Sequence, residues 1–145
     1  MYYGTIERSV VYFTNKLRCA AWNEAPLNEK EAALYEATIA IDRLNFKGAK
    51  TDPDQFLQWP RNDLDIPIEI EFATYELAMR LLDGVDVEAE IIGEQILTNT
   101  MGTIKNTKKE FSHDHIHAGI PSYRAWTYLK PFLRQGHSIR IDRVD

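Results

Sequence analysis

The sequence has little that could cross-link, anchor or catalyse. Cys19 is the only cysteine in 145 residues. No intrachain disulfide can form, which fits a reducing compartment, and Cys19 reads as a small buried or half-buried residue. No apolar run approaches the roughly 20 residues a membrane span needs. The stretch MYYGTIERSVVYF lacks a basic region followed by an apolar run, so no secretory signal is expected. Positive charge is scarce as well. The chain has 17 Lys and Arg against 22 Asp and Glu, a formal net charge of −5. A protein that grips nucleic acid usually carries a basic face, so tight, sequence-independent DNA binding by one chain is disfavoured. An acidic surface past which DNA slides is compatible with that charge. Only KNTKK and the C-terminal RQGHSIRIDR concentrate cations.

Catalytic signatures are missing. There is no G-x-S-x-G, no phosphate-binding loop and no G-x-G-x-x-G. Cys19 lies in a helical stretch with no local base. Carboxylates are plentiful, but no pair divides into acid and base. Asp63 and Asp65 could hold a hard cation and read better as caps of the helix that follows. Glu88 and Glu90 read as a solvated strand face. No enzyme activity and no cofactor is expected. SHDHIHAG is the one stretch rich in metal-ligand types, with weak candidates His113, His115 and His117 on one side of an extended segment. No second cluster of ligands exists, so a polar loop is the plainer reading. A metal between subunits or a pH-sensitive contact are the alternatives.

What is present is helical periodicity. TIERSVVYFTNKL has Thr5 as N-cap and a stripe of Ile6, Val10, Phe13 and Leu17. In the second helix Asn28 and Glu31 suggest a capping box; Leu34, Ala37, Ile41 and Leu44 form its stripe, and Gly48 stops it. A polar connection over residues 49–66 contains Trp59-Pro60-Arg61. A third helix opens at Pro67, buries Ile70, Ala73, Leu77 and Leu81, and closes at Gly84. IIGEQILTNTMGTIKNTKKEF suggests short strands or an extended arm. PSYRAWTYLKPFL is a fourth helix with Ala125, Leu129 and Phe132 inward, ended by Pro131. Its Tyr123, Arg124, Trp126, Tyr128 and Lys130 could stack bases, but packing on the core or on a neighbouring subunit fits them better. SIRIDRVD is an edge strand or tail. The expected fold is mainly α: a single domain over 1–145, a small bundle of about four helices (core about 5–84 and 121–133). It carries a β-hairpin or extended arm (about 88–120) and an extended C-terminal tail (134–145).

The middle of the chain resembles a family. ALYEATIAIDRLNFKGAKTDPDQFLQWPR followed by IPIEIEFATYELAMRLL looks like the tailed-phage proteins often labelled DnaT-like single-stranded DNA-binding protein. Ile41-Asp42, Phe46, Gly48, Gln55, Leu57, Trp59-Pro60-Arg61 and Ile66-Pro67 carry the likeness, and it extends over most of the chain. Such proteins resemble head–tail connector (adaptor) subunits. The resemblance implies a structural virion protein of the neck, assembled in the host cytoplasm as a ring of about twelve subunits. That ring would sit below the portal protein, extend the channel through which genomic double-stranded DNA passes, and dock a tail or head-closure protein. No membrane is involved. The tail would bind the portal through Arg134, His137, Ile139, Arg140, Ile141 and Arg143. The arm would meet neighbours or tail components through Ile96, Ile104, Lys105, Lys108, Lys109 and Phe111. The motif residues Asp42, Gly48, Trp59, Pro60 and Arg61 are expected to be structural. Trp59 would cover the seam between the second and third helices, and Arg61 would pair with Asp42. The alternative is a single-stranded DNA-binding replication accessory, using Arg124, Lys105, Lys108, Lys109 and Arg140.

Overall fold

The computed structural model describes residues 1–86, 88–93 and 114–134. The elements in chain order are α1 (Ile6–Thr14), α2 (Ala20–Glu24), α3 (Leu27–Asp42), α4 (Ile68–Leu82), a short helix over residues 88–93 (α5), α6 (Asp114–His117), α7 (Tyr123–Leu129) and the 3-10 turn η1 (Lys130–Phe132). The protein is a small helical bundle, and no strand occurs among the described residues.

α4 is the central element because its residues are apolar or small over most of its circumference. Ile70, Ala73, Thr74, Tyr75, Glu76, Leu77 and Ala78 are all buried. α3 and α7 both pack on α4, with α2 touching it as well. The predicted stripe of α3 holds: Leu34, Ala37, Ile41 and Leu44 are buried. So are Ala125 and Leu129 of α7, with Ile120 before it. Pro67 is the N-cap of α4, with Glu69 and Glu71 in its first turn near the positive end of the dipole. Its far end is a Schellman motif: Gly84 at φ +87° donates to the Leu81 carbonyl at 3.1 Å, and Val85 donates to Arg80 at 3.3 Å.

Several local expectations change. α1 is capped by Thr5, whose hydroxyl accepts from the Arg8 N–H at 3.1 Å, but it stops at Thr14. Leu17 therefore lies beyond it and is exposed, as is Val10; the inward face is Ser9 and Phe13, with Ile6 and Tyr12 half-buried. α2 was not foreseen. It is one short turn that lays Trp22 flat on Phe13, with ring centroids 4.5 Å apart. α3 starts at Leu27 behind Pro26 and has no side-chain cap, so Asn28 and Glu31 make no capping box. The Pro26 carbonyl already receives the Lys30 N–H at 3.0 Å, which fixes the first turn one residue earlier. α3 also ends at Asp42, well before Gly48.

The β-arm expectation over 88–120 is corrected at both margins. Residues 88–93 are helical because Asp86 caps them, its carboxylate accepting from the Glu88 N–H at 2.9 Å and the Ala89 N–H at 3.2 Å. Glu88 and Glu90 therefore line a helix rather than a strand. Asp114–His117 form a helical turn rather than a loop. The hairpin itself falls on residues outside those described.

Candidate functional site

The Trp-Pro-Arg connection is built from the inside outward. Tyr3 is buried; its N–H donates to Thr38 Oγ1 at 3.1 Å, and its hydroxyl donates to Asp42 Oδ1 at the end of α3. The same hydroxyl accepts the Trp59 N–H at 3.1 Å. Trp59, joined to Pro60 by a cis peptide bond, packs its indole edge-on against Phe46 at 5.4 Å and Phe132 at 5.5 Å. It thus closes the gap between the residue run after α3 and η1, rather than the α3–α4 seam. Its Nε1 is buried without a hydrogen-bond partner among the described residues.

Arg61 does not reach Asp42. Its Nε donates to the Lys47 carbonyl at 3.0 Å, Nη2 to the Gly48 carbonyl at 2.7 Å, and Nη1 to Gln58 Oε1 at 2.9 Å. The planar fork suits carbonyls fanned around it better than one distant carboxylate. Burial, then the nearby Arg134, pushes this guanidinium below its ordinary value. Gly48, at φ +77°, lets the chain turn here; a Cβ would collide with the Asn62 amide. Backbone bonds Asn62 to Ala49 (3.0 Å) and Thr51 to Pro60 (3.1 Å) close the loop on itself. All five motif residues are accounted for as fold-holding groups.

Among the described residues the other buried charge is Glu76 of α4. It accepts from the Tyr12 hydroxyl and pairs with Lys16, whose side chain is itself mostly buried. Burial, then the bond to Glu76, raises the Tyr12 phenol above its ordinary range. Asp42 is raised too, chiefly by burial, against the opposing pull of Tyr3, the Gln58 N–H and Lys50. Both carboxylates are held by tyrosine hydroxyls within the fold.

The face built by α1, α4 and α7 is different. A groove of about 540 Å³ has Val11, Tyr12, Ile68 and Phe72 along it, bordered by Arg8, Lys16 and Arg124. Arg8 reaches across it to Glu71 at 2.9 Å. Beside it a more polar depression of about 420 Å³ shares Lys16 and Arg124 and adds Arg18, Arg80 and Tyr123. Arg18 is held there at φ +60°, in the turn between α1 and α2. Of the α7 aromatics, Trp126 is buried and Tyr128 sits half-buried, edge-on to Phe72 at 5.8 Å. Tyr123 points out and is 66% exposed. Sequence reasoning found Arg124 and Tyr123; it missed Arg18, Arg80 and the groove, because they meet only when α1, α4 and α7 pack.

His115 and His117 lie two residues apart on the helical turn α6, where that spacing turns them to different sides; the shared strand face is not formed. The His115 ring stands edge-on to Tyr123 at 5.6 Å. Among the described residues no group of three or more His, Cys, Asp or Glu could hold a metal; His113 lies outside them. Also outside are Ile96, Ile104, Lys105, Lys108, Lys109, Phe111, His137, Ile139, Arg140, Ile141 and Arg143. Arg134 is described and is tied to the body: its N–H donates to Asn45 at 3.0 Å and its Nε to the Phe46 carbonyl at 3.2 Å. Among the described residues no helix is long and apolar enough to cross a membrane.

The chain matches the model of the family described as "Putative DnaT-like ssDNA binding protein" over residues 3–144. It belongs to that family. The match takes in the helical body and the Trp-Pro-Arg connection. Comparison with curated proteins and with solved structures gave no match.

Proposed function

We propose that this DnaT-like family member is a structural subunit of a tailed-phage neck: a head–tail adaptor that assembles as a ring beneath the portal. In this reading it extends the DNA channel and offers a docking surface to tail or head-closure components. The observation that carries the reading is the division of labour among side chains. The buried charged groups Glu76 and Arg61, and the half-buried Asp42, are used inside the fold. Large apolar residues meanwhile stand exposed on more than one face, among them Val11, Leu17, Tyr35, Ile39 and Tyr123. Exposed apolar surface rimmed by charge marks interaction with other proteins. The net charge of −5 suits a wall past which DNA slides, and the motif resemblance supplies the phage context.

The tail, from residue 135 onward, is assigned to the portal, since Arg134 belongs to the body. Deleting residues after Arg134 is expected to leave a folded domain that no longer binds portal protein in a pull-down. Full binding by the truncated chain would sink the tail assignment.

A second reading, single-stranded DNA binding, is favoured by the family's description and by exposed Tyr123 beside Arg124. Stacking on Tyr123 with phosphates on Arg124 would give affinity that falls steeply with salt. Fluorescence anisotropy with a labelled oligothymidine at low salt separates the two readings. The adaptor reading predicts binding weaker than about 10 μM, in the range of non-specific contacts. Sub-micromolar, salt-sensitive binding would overturn it.

A further inference from the structure

α3 is apolar on two faces. One is the buried stripe of Leu34, Ala37 and Ile41. The other is exposed: Ala32, Tyr35 (43% exposed) and Ile39 (41%) follow at helical spacing. Exposed Glu31 borders this outer stripe on one side, and Glu29 and Glu36 border it on the other. A surface helix normally has one apolar stripe, so the second calls for a partner.

The α1–α4–α7 face is its complement in shape and sign. It has an apolar groove of about 540 Å³ with Val11, Ile68 and Phe72 along it, room enough for a tyrosine and an isoleucine side chain. Exposed Arg18, Arg80 and Arg124 lie at and beside its edge. Glu71 and Glu76 on this face are already paired, with Arg8 and Lys16; exposed Glu90 also lines the polar depression, so three arginines face one carboxylate and the outward charge is positive. The two surfaces are built from different elements, α3 for the stripe and α1, α4 and α7 for the groove.

We infer that the acidic-edged outer stripe of α3 from one copy of this chain docks in the α1–α4–α7 groove of the next copy. Tyr35 and Ile39 enter the groove, and Glu31 and Glu36 approach Arg124, Arg18 and Arg80. Because the two patches differ, the contact is head-to-tail; repeated, it closes into a ring or runs on as a filament. Opposite charges at its edge set the register and speed the encounter. The inference rests on the ring reading and specifies which surfaces would build the ring.

The test uses two full-length variants, Tyr35→Lys and Val11→Glu, both at exposed positions, with thermal melts confirming that each folds. Self-association is followed by sedimentation velocity at low salt, alone and with portal protein. Each variant alone is expected to lose at least about tenfold in self-association, because the introduced lysine would meet the cationic groove and the introduced glutamate the acidic-edged stripe. Mixed, the Tyr35→Lys chain offers an intact groove and the Val11→Glu chain an intact stripe, so the mixture is expected to form a heterodimer and stop there. If either variant assembles like the unsubstituted chain, or the mixture stays monomeric while the unsubstituted chain assembles, these surfaces are not the interface and the ring reading stands. If the unsubstituted chain assembles under neither condition, the ring reading fails with the inference.

Discussion

Arg61 shows how much one side chain fixes. Its guanidinium gathers the carbonyls of Lys47 and Gly48 and the amide oxygen of Gln58, so two separate stretches of one connection share a single donor group. A lysine keeps the charge but cannot present that fork. Arg61→Lys is expected to cost about 2–3 kcal/mol, in line with hydrogen bonds that involve a charged group. Chemical denaturation measures this, and a loss below about 0.5 kcal/mol, the scale of an ordinary surface substitution, would contradict the account. Asp42 gives a pH test. Burial raises its carboxyl above the ordinary value. A group raised in the folded state stabilises fully below its unfolded value, about 4 for Asp, and that contribution is lost as pH rises through the folded value. Asp42→Asn removes it. The melting temperature of the parent minus that of the variant should therefore be larger in mild acid than at neutral pH, and a difference that shrinks on acidification would show the sign to be wrong. Trp59-Pro60-Arg61 stood out in the sequence as a structural triplet, and its burial was legible there. Its partners were not. Tyr3, which joins Trp59 to Asp42, lies 56 residues away from Trp59 in the chain, and no local pattern announces such a contact.

At the level of elements, the long helices were readable and the short ones were not. α3 and α4 bury residues at regular helical spacing over 16 and 15 residues, long enough for periodicity to dominate. α2 has 5 residues and α6 has 4, less than two turns, so they form only because the packed body holds Trp22 and Ile120 in place. The helix over residues 88–93 was mistaken for a strand because its isoleucines suggest β structure, whereas Asp86 caps the chain into a helical turn. Glu76 was hidden for a related reason: it falls within the inward arc of α4, where a carboxylate is not expected without a partner. Tyr12 and Lys16, both contributed from the α1 side, supply one. Removing only one member of a buried pair leaves an uncompensated charge. Lys16→Met is accordingly expected to lose about 3 kcal/mol, with most of it regained in the Lys16→Met/Glu76→Gln chain. Additive losses in the double variant, read from denaturant midpoints, would show that the two residues do not act as a pair. Leu77, fully buried in α4, should not tolerate Asp; Leu77→Asp is expected to abolish the cooperative melt.

For the whole molecule, the described residues form one helical body. The buried charged groups Glu76 and Arg61 are used inside the body, and the surface carries two apolar patches of opposite edge charge, one along α3 and one between α1, α4 and α7. Net charge and the lack of catalytic motifs were available from composition alone. The patches were not, because each is assembled from exposed residues whose neighbourhood depends on how the helices pack. In the proposed adaptor role, two such patches would join identical copies head to tail around a passage for DNA. The most direct test of the proposed adaptor role is electron microscopy of the full-length chain mixed with the portal protein that this role assigns to it. The account predicts a closed ring of this chain, coaxial with the portal and attached at its lower end. Bare portals at saturating concentrations of the chain would contradict it.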